Sequence, residues 1–329
     1  MTSAWPAYLG QDAQEQVILN AAAGPRMHHG WILAGPRGIG KAHFARTAAR
    51  RLLADAAGPP IDLPGLAVPD DHPVARLFQS GAHPDYAELE RLETDTGDRK
   101  RNISIDQVRQ LQRMFATVPS LSQRRVVVID SADDLERNAA NALLKNLEEP
   151  PLGTIFFLVS HAPARLLPTI RSRCRILRFP ALPDALVRRI VQEKMADTPA
   201  EEIDALVTLG KGSPGRALTF GNSGAADVEK ALRAILSDGD PGNIARLALA
   251  RSMATKAGRP RYEAMLERAP SFIADVARSR AGGPMRDALD AWEQARQLAS
   301  GAMLLSLDPA SVAFELGSLV AGLAEEGAR

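Results

Sequence analysis

The chain has 329 residues, 45% of them hydrophobic and 24% charged, which suits a globular protein of about two domains, or three small ones. With 40 basic against 39 acidic residues its formal charge is +1, which excludes binding to nucleic acid by bulk charge and leaves open only a local patch. The single cysteine, Cys174, excludes an internal disulfide and any zinc site built on two cysteines.

Four short apolar runs bounded by breakers read as buried strands: Trp31–Ala34, Val126–Ile129, Thr154–Val159 and Ile176–Phe179. Between them the periodicity predicts helices. Lys41 to Leu53 carries Phe44, Ala48 and Leu52 on one face. Asp106 is expected to cap the helix QVRQLQRMF, and Asn138 to Glu149 is a strong helix former stopped by Pro150-Pro151. This alternation predicts a parallel sheet covered on both faces. The stretch 55–82, rich in proline and glycine, reads as an insertion.

After Pro180-Ala-Leu-Pro183 no strand is predicted. Helices near 184–196, 201–209 and 214–220 form a small group, and Gly221-Asn-Ser-Gly224 reads as a linker. Five helical stretches follow, with Leu232, Ile235 and Leu236 at helical spacing. The last stretch opens on Asp308-Pro309, a cap and a first-turn proline. The expected organisation is an α/β domain over 1–180, a small helical domain over 181–222 and a helical C-terminal domain over 223–329. No run approaches the roughly 18 apolar residues of a membrane span. The opening MTSAWPAYLGQDAQEQ lacks a basic-then-apolar signal pattern, so a soluble cytoplasmic protein is expected.

The sharpest motif is Gly35-Pro36-Arg37-Gly38-Ile39-Gly40-Lys41-Ala42, between a strand and a helix. Glycines let backbone N–H groups turn onto phosphate oxygens, the helix N-terminus adds partial positive charge, and Lys41 reaches the β/γ-phosphates. A hydrolytic loop needs a Ser or Thr hydroxyl for Mg²⁺ after the lysine, and Ala42 has none. Asp130, after the strand RRVVVI, can hold a metal, but Ser131 follows it where a glutamate would orient water. Asp133 and Asp134 read as caps of the next helix. Both defects point to a scaffold whose hydrolytic site has lost parts.

A basic run, Arg165, Arg171, Arg173, Arg175 and Arg178, has no acid between Pro151 and Pro183. It reads as a solvated face, a weak nucleic-acid patch, or an arginine aimed at another subunit's phosphates. The chain has 33 arginines to 7 lysines, which lowers the information in any one of them.

The loop Gly35–Lys41 with His28-His29-Gly30-Trp31, the block ALLKNLEEPP (142–151), the strand FFLVS (156–160) and Ile170-Arg-Ser-Arg-Cys174 together resemble the bacterial clamp-loader family of AAA+ proteins. They fit best its delta-prime branch, over about Gln11 to Leu218. The resemblance implies an α/β AAA+ (P-loop) module with a parallel sheet, a helical lid and an all-α collar. It implies that Arg173, in the motif Ser172-Arg173-Cys174, reaches the ATP of a neighbouring motor subunit. It places Ser160 at sensor 1 and Arg216 at or near sensor 2. Ala42 and the degenerate pair Asp130-Ser131 fit a member that does not hydrolyse ATP, so no ATPase activity is expected of the isolated chain. The rival readings are an active AAA+ motor, a P-loop kinase or nucleotide-binding regulator acting alone, and a DNA-binding module using the basic run. The implied partners are motor (gamma/tau) and delta subunits in a hetero-pentamer, with the sliding clamp and primer–template DNA reached through the complex. The loop either holds ATP or ADP without hydrolysis or holds nothing. Many relatives carry four zinc-binding cysteines before His83-Pro84-Asp85; this chain has none there. Asp70, Asp71, His72 and His83 read as ordinary loop residues, and no zinc is expected.

Overall fold

In chain order the elements are α1 (Asp12–Ala23), β1 (Gly30–Ala34), α2 (Lys41–Ala56), α3 (Pro73–Gln79), β2 (Tyr86–Glu90), α4 (Ile105–Phe115), β3 (Arg125–Asp130), α5 (Arg137–Glu148), β4 (Thr154–Ser160), α6 (Pro168–Ser172) and β5 (Arg175–Arg178). Then come α7 (Asp184–Lys194), α8 (Ala200–Gly210), α9 (Pro214–Ser223), α10 (Ala225–Asp238), α11 (Ile244–Met253), α12 (Arg259–Arg278), α13 (Gly282–Leu304) and α14 (Pro309–Ala321). The computed structural model describes residues 9–24, 27–94 and 100–324; the first eight, read above for a targeting signal, lie outside them.

The five strands form one parallel sheet in the order β2-β3-β4-β1-β5. β1 and β4 are buried along their whole length, which is why they read as unbroken apolar runs. Helices cover both faces. On one, Phe44, Ala48 and Leu52 of α2 pack with Leu33, Val128 and Phe157. On the other, Val108 and Leu111 of α4 and Leu143 of α5 pack with Ile32, Val127 and Leu158.

β2 was not expected. Its residues alternate between two covered faces: Ala87 and Leu89 pack with one core, while Tyr86 packs against the other and Glu88 pairs with Arg46 of α2. Other expectations shift by short distances. Ser104, not Asp106, caps α4, with Gln107 Oε1 accepting its N–H at 3.1 Å; Asp106 occupies the first turn. The expected linker 221–224 shrinks to Gly224, because α9 runs on through Ser223 and Gly224 takes the left-handed conformation (φ 70°) before α10.

The insertion after α2 is laced down by two adjacent arginines. Arg51 Nη1 donates to the carbonyls of Leu63, Gly65 and Ala67, and its Nε to Asp55. The buried Arg50 donates to the Val68 carbonyl and to Asp70. His72 caps α3 through Nδ1, which accepts from Val74 N, and His83 Nδ1 accepts from Asp85 N. Among the described residues no cluster of His, Cys, Asp or Glu could hold a metal ion.

The chain divides into two compact units, Met1–Leu186 with Gly212–Gly215, and Val187–Lys211 with Arg216–Arg329. In the second, Val228, Leu232 and Ile235 of α10 share a core with Met265 and Ile273 of α12 and Leu316 and Val320 of α14. Within it, the nearly buried Arg268 sets Nε 2.5 Å from Glu229 Oε2. Asp308 caps α14 by accepting from Ser311 N, as Asp308-Pro309 predicts. Among the described residues no helix is long and apolar enough to cross a membrane.

Candidate functional site: a glycine loop at the sheet's C-terminal edge and an arginine at its N-terminal edge

Where β1 ends, the chain turns through Gly35–Gly40 into α2. Gly35 has no room for a side chain: a Cβ would lie 2.3 Å from the Phe179 carbonyl. Gly38 (φ 77°) and Gly40 (φ 94°) adopt left-handed backbone that L side chains resist, and Gly40 then starts α2. The glycine turn that the spacing predicts is present and leads from β1 into α2.

Lys41 turns back onto the loop that precedes it. Lys41 is 3% exposed, and its Nζ donates to the carbonyls of Gly35 (2.8 Å) and Pro36 (2.6 Å). The same ammonium stands 2.9 Å from Nδ1 of His161. Burial lowers the Lys41 pKa to about 8, against the opposing pull of Asp133 and Asp130. His161 is held down to about 4, by burial first and by the Lys41 charge next, so the imidazole is the neutral acceptor of this pair. The next two loop carbonyls are also taken: Arg37 O accepts from Ser213 Oγ and Gly38 O from Gly215 N, each at 2.8 Å. Ala42 packs against the sheet core.

The acidic side of the site is engaged as well. Arg46 of α2 donates to both oxygens of Glu88 and lies 3.4 Å from Asp130 at the end of β3. Burial raises the Asp130 pKa; Arg46 opposes that shift, and Glu88 and Glu90 reinforce it. Mg²⁺ would need oxygen ligands at this point. Asp130 instead faces a guanidinium, and position 42 has no hydroxyl, so the donor set does not fit the metal.

Asp133 does not cap the following helix. It accepts from Ser160 Oγ (2.9 Å), His161 N (2.5 Å) and Ala162 N (3.3 Å), tying the segment after β3 to the end of β4. Asp134 pairs with Arg91, and α5 starts at Arg137 after Glu136, which makes no side-chain cap. The Ser160 hydroxyl is thus committed to Asp133, and Ser131 Oγ lies 3.5 Å from the same carboxylate. Asp133 and His161 are the site residues that sequence reasoning missed. Their signal was position: each follows the C-terminal end of a central strand, where open α/β sheets place their chemistry.

Arg173 ends α6. Its Nη1 donates to Thr169 O (3.0 Å) and Ser172 Oγ (3.3 Å), and its Nη2 lies 2.8 Å from Glu148 Oε1, within the 142–151 block. Cys174 is turned inward, its thiol pushed up to about 12 by burial. A Cβ on Gly30 would lie 2.8 Å from its sulfur, so His29-Gly30-Trp31 and the Ser172–Cys174 motif are packed together. Of the remaining basic run, Arg165, Arg175 and Arg178 are exposed, and Arg175 lies over the Trp31 ring. Arg216 belongs to the second unit, where it pairs with Glu267 and lies over Phe220.

A family profile described as "DNA polymerase III, delta subunit" matches residues 10–183. The chain is 37% identical over 204 residues to DNA polymerase III subunit delta' of Pseudomonas aeruginosa, covering 61% of this chain and 58% of that one. It is 37% identical over 145 residues to the same subunit of Escherichia coli, covering 44% and 42%. DNA polymerase III subunit gamma/tau of Mycobacterium tuberculosis is 30% identical over 227 residues, covering 67% and 37%. The chain spans about half the length of the delta' relatives it matches. Among solved structures, a DNA polymerase III gamma subunit-related protein of Thermotoga maritima aligns with a TM-score of 0.45 at 18% identity, over 94% of this chain and 98% of that one.

Proposed function

The chain belongs to the delta-prime family of the DNA polymerase III clamp loader, and from that premise we propose that it is a non-hydrolysing subunit that lends Arg173 to the ATP of a neighbouring motor. The observation that carries this reading is a contrast between two sites. In the chain's own loop Lys41 is bonded to the Gly35 and Pro36 carbonyls, Ala42 brings no hydroxyl and Asp130 is paired with Arg46, whereas Arg173 stands partly open to solvent at the end of α6. A guanidinium is planar, permanently charged and able to bind phosphate in two-point fashion, which suits it to act outside its own fold.

In this reading the partners are motor (gamma/tau) and delta subunits in a hetero-pentamer, working in the cytoplasm on the sliding clamp and primer–template DNA. Because the arginine and the ATP sit on different chains, cleavage depends on subunit alignment. A nucleotide held by Gly35–Ala42 stays intact, as ATP or ADP, and Lys41 must leave the Gly35 and Pro36 carbonyls to meet its phosphates. No zinc takes part. The reading of Ser160 and Arg216 as sensor positions rests on the motif match.

The test is a loader assembled with Arg173→Ala. Fingers of this kind contribute about 10³–10⁵-fold to turnover, so the variant complex should assemble yet lose most of its DNA-stimulated ATPase and clamp loading. Unchanged rates would remove the assignment. Phosphate release by the isolated chain that vanishes in Lys41→Ala would identify an active motor instead.

A further inference from the structure

Arg173 is not a loose side chain. Thr169 O and Ser172 Oγ hold Nη1 from within α6, and Glu148 holds Nη2 from the end of α5. Each partner has a physical reason for the pair. Glu148 is the last residue of its helix, where the partial negative charge of the C-terminus disfavours a carboxylate until a cation answers it. Arg173 has only neutral acceptors inside its own helix, and these engage one of its two terminal nitrogens.

We propose, resting on the reading of Arg173 as a trans-acting finger, that Glu148 is a positioning residue: with Thr169 and Ser172 it fixes the guanidinium plane before a neighbour's polyphosphate arrives. A free arginine samples many rotamers, and ordering it only on encounter costs entropy that the fixed one has already lost. Alignment matters steeply, since misplacing a reacting or stabilising group by about 1 Å can cost on the order of 100-fold in rate. With 35% and 49% of the two side chains exposed, the pair is a weak one, so it orients the arginine without sequestering it from a multiply charged anion. The neighbouring Glu149 is exposed and makes no ion pair within the described residues, so the role falls on one of two adjacent glutamates.

The experiment uses the reconstituted loader with clamp and primed DNA, with ATPase followed against ATP concentration and assembly checked by gel filtration. Glu148→Gln keeps size and removes charge; kcat should fall about fivefold with KM for ATP little changed, the pattern of an interaction realised in the transition state. The deciding measurement is the double variant with Arg173→Ala. If Glu148 acts through Arg173, the double variant turns over as slowly as Arg173→Ala alone and no slower. A further loss in the double variant, or an unchanged kcat in Glu148→Gln, overturns the positioning role and leaves the finger standing. An unchanged rate in Arg173→Ala overturns the finger, and this inference with it. Glu149→Gln should match the wild-type rate, and a loss there equal to that of Glu148→Gln would overturn the choice between the two glutamates.

Discussion

Lys41 Nζ donates to Nδ1 of His161 across 2.9 Å, joining the first residue of α2 to the residue that follows β4. The pair couples the loop's charge to the edge of the sheet, and it titrates in a usable range. His161 has a folded pKa near 4 against an ordinary 6.5, so between those values the unfolded chain binds more protons than the folded one. Stability must therefore fall as pH drops from about 6.5 towards 4. Gln can still accept from Lys41 and does not titrate. Urea midpoints at pH 7 and pH 4.5 should converge in His161→Gln relative to wild type; equal acid losses in both would show that the imidazole is not the group responsible.

On the alkaline side the sign is the same, and burial is again the leading cause. Lys41 is held near 8 against an ordinary 10.5, so its buried charge opposes folding below that range and stability rises as pH climbs from about 8 towards 10.5. Lys41→Met removes this contribution. The variant's stability should be flatter than wild type over that interval in denaturant titrations, and an identical slope would contradict the burial seen here.

Asp133 gathers one hydroxyl and two backbone N–H groups. Asp133→Ala strands all three donors at once, and hydrogen bonds to a charged acceptor contribute about 1.5–3 kcal/mol. A loss of about 2–4 kcal/mol in chemical denaturation is expected, with Asp133→Asn losing less because one amide oxygen still accepts. A loss within about 0.5 kcal/mol, the scale of ordinary surface changes, would mean that the network does not hold the strand ends together.

Gly30 and Cys174 fit only as a small pair. Gly30→Ala would set a methyl 2.8 Å from the sulfur and 3.2 Å from the Arg173 carbonyl, which should cost about 1–3 kcal/mol by overpacking and displace the motif. Cys174→Ala in the same chain should recover part of that loss. Thermal melting of the single and double variants tests this; additive losses would show that the clash lies elsewhere.

Arg51 binds three carbonyls of the segment after α2. Arg51→Met keeps much of the aliphatic stem and loses every one of those bonds. Limited proteolysis should then cut between residues 58 and 72 several-fold faster than in wild type, because local opening governs cleavage of such loops. An unchanged cutting rate would assign the loop's order to its other holds, Arg50 with Val68 and Asp70, and Glu15 with the Leu66 N–H.

The central strands and the loop were legible in the sequence for local reasons. Leu33, Val127 and Phe157 are buried in the sheet, so the middles of β1, β3 and β4 had to be apolar, with polar residues such as Asp130 and Ser160 at the strand ends. Gly35, Gly38 and Gly40 stand where a side chain would strike the Phe179 carbonyl or strain the backbone. β2 stayed hidden because its glutamates, Glu88 and Glu90, break the apolar run, and the partner that lets Glu88 be covered, Arg46, is supplied only by the tertiary structure.

What the sequence by itself determined is therefore what one stretch of chain can express: strand and helix type, the glycine turn, the missing hydroxyl at Ala42 and the motif that contains Arg173. Only the tertiary structure decided how the charged groups are used, because their partners lie far along the chain. The order β2-β3-β4-β1-β5 sets the ends of distant strands side by side, and so brings His161 to Lys41, Ser160 to Asp133 and Arg46 to Glu88 and Asp130. Packing of α5 against α6 does the same for Glu148 and Arg173. A side chain's charge is written locally, but whether it meets a phosphate, a carbonyl or another side chain depends on which strand the fold makes its neighbour.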